Sequence, residues 1–346
     1  MAYIYQGMNL PKDQDILFAC MDWGLGHASR SVPLIRALQG NGNRVSLASA
    51  GSAKEFLEDY FPELTVYSKP SYNIYYSAWV PMWLVTAQQS LTILKIIEEE
   101  KRWTERVIGS NRFDSIFSDN CYGVYSQEIP STLITHQLML KTPGLFSFAE
   151  PMLHRQILKW TSAFGKCLIP DVAGNDNLSG DLSHKYDLPA NAEFFGIQSR
   201  FQLDTPAEKF EEDIEVCAII SGPEPQRTFL EERLKDILGK RKRKSIIIRG
   251  LPGKNDRTEK GNLLLYNHVK DSEFRGMIAK ADLVISRSGY STIMDLVTLK
   301  KKAILIPTPG QTEQEYLSRH LSGREQFKMV SQEKFTADFL AGSLSS

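Results

Sequence analysis

Short apolar and β-branched runs alternate along this chain with stretches in which apolar residues recur every three to four positions. In the first half the runs are ILFAC (16–20), RVSLASA (44–50), LTVYS (64–68), FDSIFSD (113–119), STLITH (131–136) and KCLIPD (166–171). In the second half they are VCAIISG (216–222), SIIIRG (245–250), NLLLYNHV (262–269), LVISRSG (283–289) and KAILIPT (302–308). Helical patterns separate them, notably over 81–108, where Ile93, Ile96, Ile97 and Trp103 can share one face, and over 224–238, 271–281, 290–300 and 312–321. Strands alternating with helices predict parallel α/β layers. The polar stretch 196–215, with a proline and a charge run, separates two halves built the same way. The pattern predicts an α/β chain of two doubly wound, Rossmann-like domains, 1–197 and 198–346, with a cleft between them. The last helix is free to pack back on the first domain. Ligands of such sheets bind beyond the carboxyl ends of the strands.

Composition narrows the function. A length of 346 residues suits two domains at roughly 150 residues each. Lys+Arg and Asp+Glu both total 41, so the zero net charge argues against a wholesale grip on nucleic acid. The basic run KRKRK (240–244) lies between a helical pattern and a strand, and reads as a solvated helix end. Four cysteines, Cys20, Cys121, Cys167 and Cys217, are widely spaced with no CxxC pair, which argues against a zinc or redox motif. Reduced thiols and an N-terminus without a basic start and apolar run point to a cytoplasmic protein. The longest uncharged stretch, 70–94, holds polar residues and two prolines and does not read as a spanning helix. Its aromatics, Tyr72, Tyr75, Tyr76, Trp79 and Trp83, either pack on the domain or form an apolar surface for an acceptor or a membrane.

The first glycine turn follows strand ILFAC as Gly24-Leu25-Gly26-His27. A dinucleotide fingerprint would place its third glycine at Ser29 and an acidic residue at the end of the second strand, and neither is present. That leaves a histidine near a helix N-terminus. A neutral imidazole facing a cleft can act as a general base; the plainer alternative is a capping histidine bonded to local backbone. No second histidine or carboxylate stands at metal-ligand spacing, and Asp119-Asn120 is a strand end rather than a D-x-D metal clamp.

The second domain carries a denser pattern. A strand ends in Ser286-Arg287-Ser288-Gly289, and a helix begins near Tyr290. Ser288, Gly289 and the first helical amides offer donors where an anion would sit. Ser291, Thr292 and Asp295 fall on one helix face, as suits a nucleotide with its diphosphate at the helix mouth and its ribose a turn further in. The next strand opens into Pro309-Gly310-Gln311-Thr312-Glu313-Gln314, whose carboxylate and amide groups can bond sugar hydroxyls.

These segments, Gly24 to Arg30 and Ala281 to Leu321, resemble the GT-B glycosyltransferases, especially the MurG-type N-acetylglucosaminyltransferase family. The resemblance implies a metal-independent transferase that takes an N-acetylhexosamine or hexose from a nucleoside-diphosphate sugar, UDP favoured, without a cofactor, and inverts the anomeric centre. It assigns the acceptor base to His27, and counts Gly24 and Gly26 of the same turn among the nucleotide and diphosphate contacts. It assigns the ribose to Asp295, the donor sugar to Gln314 with Glu313 or Glu315, and the diphosphate to Arg200, Arg287, Ser288 and Gly289 with Ser291 and Thr292. Ser221 and Gly222 stand loosely for the family's glycine-rich loop, and His268 and Val269 for the residues that hold the base. The chain departs from the family in carrying Asp295 for a usual glutamate, one glycine fewer in the first turn, and Gln-Glu for a glutamine pair. The form GxGHxxR also resembles nucleotide-sugar hydrolases, so hydrolysis stays open, as does a non-catalytic nucleotide-binding role. The acceptor is a glycan or a lipid-linked molecule, and the latter fits a peripheral contact with the inner membrane face through 72–83.

Overall fold

The structure, a computed structural model, describes residues 8–72, 82–202, 208–220, 222, 224–251 and 256–345, with the side chains of 82–91, 145 and 202 left aside. These residues form two compact units, one of residues 8–72 and 83–202 and the other of residues 208–345.

The first unit is a seven-stranded parallel sheet in the order β3-β2-β1-β4-β5-β6-β7. Its strands are β1 (Asp15–Cys20), β2 (Arg44–Ser49), β3 (Val66–Ser68), β4 (Ser115–Asp119), β5 (Ser131–Ile134), β6 (Lys166–Ile169) and β7 (Ala192–Phe194). Its helices are α1 (Gly26–Gly40), α2 (Gly51–Tyr60), α3 (Met82–Ser110), α4 (Glu150–Thr161) and the single turn α5 (Asp181–His184). Alternate residues of β1 enter different cores. Ile16, Phe18 and Cys20 pack with Val32, Ile35 and Leu38 of α1, whereas Leu17 and Ala19 pack with Ile96 and Trp103 of α3. A strand buried on both faces must be apolar at every position, which is why ILFAC has no polar alternation.

The second unit repeats the plan in the order β10-β11-β9-β8-β12-β13-β14, parallel except for the β10–β11 pair. The strands are β8 (Ile214–Ile219), β9 (Ser245–Ile248), β10 (Arg257–Lys260), β11 (Leu263–Tyr266), β12 (Ala281–Ser286), β13 (Ala303–Leu305) and β14 (Phe327–Met329). The helices are α6 (Gln226–Leu238), α7 (Asp271–Lys280), α8 (Tyr290–Thr298), α9 (Thr312–Leu321) and α10 (Ala337–Leu344). Leu230, Leu234 and Leu238 of α6 and Leu340 of α10 share one core with β8, β12 and β13, so the last helix contributes to this unit's own interior.

Three strands escaped the hydrophobic pattern. β7 and β14 are three residues long, and β10, with sequence RTEK, is exposed at all four positions. Sheet edges tolerate charge, so such strands carry no apolar signal. The basic run 240–244 behaves as a solvated helix end: Lys240 pairs with Asp236 at 2.6 Å, Arg241 with Glu215 at 2.7 Å and Arg243 with Asp282 at 2.6 Å. All four cysteines are free and buried.

Candidate active site

In the first sheet the chain runs outward from β1 on both sides, to β2 in one direction and to β4 in the other. The carboxyl ends of β1 and β4 therefore flank the topological switch point, where doubly wound sheets leave a crevice. The turn after β1 needs a glycine at Gly24, whose φ is +81°, and α1 starts at Gly26, so that His27 stands in its first turn. Its Nδ1 lies 2.8 Å from Oδ1 of Asp119, the last residue of β4. The Asp119 side chain is 1% exposed and that of His27 is 15% exposed. The imidazole is thus held by a carboxylate 92 residues away. The helix cap is Leu25, which makes no side-chain cap bond. This is not the local cap that the sequence left open.

Asp119 is a crowded acceptor. Arg30 Nε donates to its Oδ2 at 2.8 Å, Arg30 Nη2 to its Oδ1, and Ser31 Oγ to its Oδ2 at 3.0 Å. Burial pushes the carboxyl pKa up, but the Arg30 guanidinium and His27 more than offset this and hold it well below the usual carboxylate range. An ionised carboxylate can only accept, so His27 Nδ1 carries a proton, and in the neutral imidazole the lone pair is then on Nε2. An oriented imidazole with a free lone pair at a switch point is the arrangement a general base requires.

A second buried network supports the same turn. Lys69 and Glu100 have fully buried side chains and pair at 3.0 Å, while Lys69 Nζ also lies 3.5 Å from Oδ1 of Asp22, in the turn before His27. Tyr72 Oη and the amide of Gly123 both donate to Glu100 Oε2. Burial pushes the Lys69 pKa down, but the carboxylates of Glu100 and Asp22 outweigh it and keep the pKa above the ordinary value. Tyr72, one of the aromatics considered for an outer surface, is 3% exposed and belongs to this interior. The rest of the expected surface, Tyr75, Tyr76, Trp79 and the Trp83 side chain, lies outside the described residues.

In the second sheet the switch point falls between β8 and β12. Ser221 lies outside the described residues; Gly222 follows β8 with φ +116°. Arg287 is 1% exposed and spends its guanidinium on the carbonyls of Pro307 at 3.1 Å, Ile306 at 3.3 Å and Gln226 at 2.7 Å. Burial lowers its pKa to about 10. An arginine expected to reach a diphosphate therefore ties the end of β12 to the end of β13 and the start of α6. Ser288 is likewise buried, its hydroxyl donating to the Gln314 carbonyl at 2.8 Å. Gly289 is the N-cap of α8 with extended backbone and no side-chain cap, which leaves the first amides of the helix directed past its end. Ser291, Thr292 and Asp295 are half-buried on α8, between the buried Tyr290, Ile293, Met294 and Leu296.

Gln314, on α9, is 8% exposed, and its Oε1 accepts the Thr308 amide at 2.9 Å, so its NH2 group is the end directed elsewhere. Glu313 is half-buried in the first turn of α9. His268 is half-buried and Val269 buried just beyond β11. In the first unit, Arg200 opens a 3-10 turn, Arg200–Gln202, with its guanidinium 4.9 Å from the Phe201 ring centroid. Among the described residues no group of three or more His, Cys, Asp or Glu side chains could hold a metal ion.

Asp119 is the residue that sequence reasoning passed over. A carboxylate closing a strand next to the glycine-turn strand was the available signal. It gains meaning only once β4 is known to lie beside β1.

Residues 231–345 match the family described as glycosyltransferase family 28 C-terminal domain. A 74-residue segment is 39% identical to the UDP-N-acetylglucosamine–N-acetylmuramyl-(pentapeptide) pyrophosphoryl-undecaprenol N-acetylglucosamine transferase of Paramagnetospirillum magneticum (strain ATCC 700264 / AMB-1), covering 20% of this chain and 19% of that protein. The chain thus spans about a fifth of the length of the curated relatives it matches. Among solved structures, the glycotransferase of kitacinnamycin superposes with a TM-score of 0.66 at 14% identity, covering 97% of this chain and 90% of that one. MurG of Acinetobacter baumannii superposes with a TM-score of 0.55 at 15% identity, with the same coverage of 97% and 90%. These likenesses show the GT-B fold, with its two Rossmann-like sheets.

Proposed function

We propose that this chain, a GT-B-fold relative of the family 28 glycosyltransferases, transfers a sugar from a nucleoside-diphosphate sugar to a hydroxyl acceptor with inversion at the anomeric carbon. The observation that carries the proposal is the His27–Asp119 pair at the switch point of the first sheet. His27 Nε2 takes the acceptor's hydroxyl proton as the oxygen bonds to the anomeric carbon. The bond from that carbon to the diphosphate oxygen breaks on the opposite face, and the diphosphate leaves with the electron pair. Asp119 stabilises the imidazolium that forms, as carboxylate partners of catalytic histidines do.

The second unit binds the donor. The amides at the mouth of α8, beside Gly289, face the diphosphate and stabilise the charge that grows on it. Asp295 takes the ribose hydroxyls and the Gln314 NH2 group the sugar, with Glu313 beside it. Arg287 and Ser288 act from beneath, holding the turn in shape. UDP is the favoured carrier and an N-acetylhexosamine or hexose the favoured sugar, in keeping with the named activity of the curated relative and the family match over 231–345.

A lipid-linked acceptor is the favoured one. Phe148, 79% exposed, closes the 3-10 turn Gly144–Ala149, and Met152, 66% exposed, follows in the first turn of α4. The exposed Arg155 and Lys159 continue the same helix face. Apolar tips backed by cations suit the surface of an anionic bilayer, which supports a peripheral contact with the cytoplasmic face of a membrane. Among the described residues no helix is long and apolar enough to cross a membrane.

The test is release of nucleoside diphosphate from a panel of UDP-, dTDP- and GDP-sugars, with and without lipid-linked or soluble hydroxyl acceptors. Release that needs an acceptor, with a product of inverted configuration, is the expected result. Sugar released into water at the same rate without acceptor would make the enzyme a hydrolase. No release from any donor would remove the transferase reading.

A further inference from the structure

We infer that Arg30 and His136 are positioning residues, which fix the orientation of Asp119 and, through it, keep the His27 proton on Nδ1. The inference rests on His27 being the base, yet it makes a claim about proton placement that can be tested without turnover.

A single carboxylate does not by itself settle which imidazole nitrogen is protonated, because it can turn about its own axis and the ring can turn with it. Here Asp119 has no such freedom. Arg30 meets both of its oxygens as a fork, Nε on Oδ2 at 2.8 Å and Nη2 on Oδ1, while Ser31 Oγ adds a second bond to Oδ2 at 3.0 Å. Oδ2 is taken by Arg30 and Ser31, and Oδ1 is shared between Arg30 and His27. Arg30 is itself 3% exposed and needs an anchor at its other end. That anchor is His136, two residues past β5 and 3% exposed, whose Nδ1 lies 2.9 Å from Arg30 Nη1.

A guanidinium only donates, so His136 Nδ1 must accept, and its own proton sits on Nε2. Proton positions are thereby set along the whole chain: His136 neutral, Arg30 charged, Asp119 ionised, His27 protonated on Nδ1 and open on Nε2. The other charges nearby, Asp22, Lys69 and Glu100, close on one another. The cation also keeps Asp119 from accepting the Nδ1 proton when His27 becomes doubly protonated, so the carboxylate orients and stabilises but does not relay.

The test uses the full chain labelled with 15N-histidine and long-range 1H–15N correlation, with the His27 signals assigned by their loss in His27→Gln. Wild type should show one His27 tautomer, with the proton on Nδ1. His136→Asn places an amide oxygen near where Nδ1 stood and should keep that tautomer. His136→Leu, of similar size but with no acceptor, should let the Nε2–H form appear. Arg30→Lys, a point charge that cannot bridge both oxygens, should do the same. In the diphosphate-release assay His136→Leu should lower kcat with donor KM unchanged, by up to ~10²-fold as for a catalytic group displaced by about 1 Å, and His136→Asn should restore it.

A His27 tautomer unchanged in both His136→Leu and Arg30→Lys overturns the inference. If His136→Leu does not fold, Arg30→Lys alone carries the decision. A wild type that releases no diphosphate from any donor defeats the transferase reading, while the tautomer result still stands or falls by its own spectrum.

Discussion

Asp119→Asn is the sharpest perturbation of the first unit, because it removes a charge and almost no volume. Asp119 and Arg30 side chains are 1% and 2% exposed, so solvent screens neither. The variant leaves a buried guanidinium facing an amide, and removing one partner of a buried pair costs about 3–5 kcal/mol. At about 2–4 °C per kcal/mol for a unit of this size, melting should fall by roughly 6–20 °C. The amide can still accept one bond, but it presents an NH2 group where an acceptor stood, and His27 loses the carboxylate that fixes its tautomer. Turnover should therefore fall by about 10²–10⁴-fold, the range of general-base catalysis.

The pH dependence has a definite sign. The folded carboxyl lies below its unfolded value of about 3.9, so its stabilisation is fully present above that value and is lost as pH falls through the folded pKa. Asp119→Asn should erase that share of the acid sensitivity, and the melting curves of variant and wild type should converge in acid. Scanning calorimetry from pH 7 downward, with the diphosphate-release assay at pH 7, reads all three effects. A variant that melts with wild type at neutral pH would refute the account of a buried ion pair, whatever its activity.

His27→Ala should cut kcat by about 10²–10⁴-fold while leaving the binding of nucleoside diphosphate unchanged in calorimetry; equal losses in both would mean the residue shapes the fold rather than the chemistry. Glu100→Gln strips Lys69 of its closest carboxylate in a fully buried site, and should cost several kcal/mol, about 3–5, by the same logic of an orphaned charge. Denaturant titration at neutral pH gives the number, and a cost within experimental error would show that Asp22 alone can hold the lysine. Phe148→Ser with Met152→Ser should leave stability within about 0.5 kcal/mol, since both side chains already lie in solvent. The same pair of changes should abolish sedimentation with vesicles of anionic phospholipid, and unaltered sedimentation would take the membrane contact away from α4.

The sequence carried the fold wherever strands were long and covered on both faces. β1, β8 and β12 carry the apolar runs ILFAC, VCAI and LVI, and their parallel pairing follows from the rule that parallel strands are joined by crossovers, usually helices. It was silent on β7, β10 and β14, whose edge positions ask for no apolar residue. His27 was legible because a histidine in a glycine turn is out of place locally. Asp119, Arg30 and His136 were not, since their significance lies in a meeting of β4, α1 and the end of β5 that no local pattern encodes. Glu100 was hidden by its own charge: it sits on the same helix face as Ile96 and Trp103, and only the approach of Lys69 makes burial there tolerable. Arg287 misled in the other direction. In sequence it has the look of a phosphate ligand, and in the fold its two terminal nitrogens donate to three carbonyls.

The central claim, a nucleotide-sugar site at the carboxyl edge of the second sheet, is tested most directly by thermal shift with UDP, GDP, CMP and NAD on wild type and Asp295→Ala. A ligand present at about 100 times its dissociation constant adds about 2.7 kcal/mol, several degrees for a domain of this size. The account predicts such a shift with UDP for wild type and its loss in Asp295→Ala. A protein stabilised by NAD alone, or by UDP equally in both forms, would contradict it.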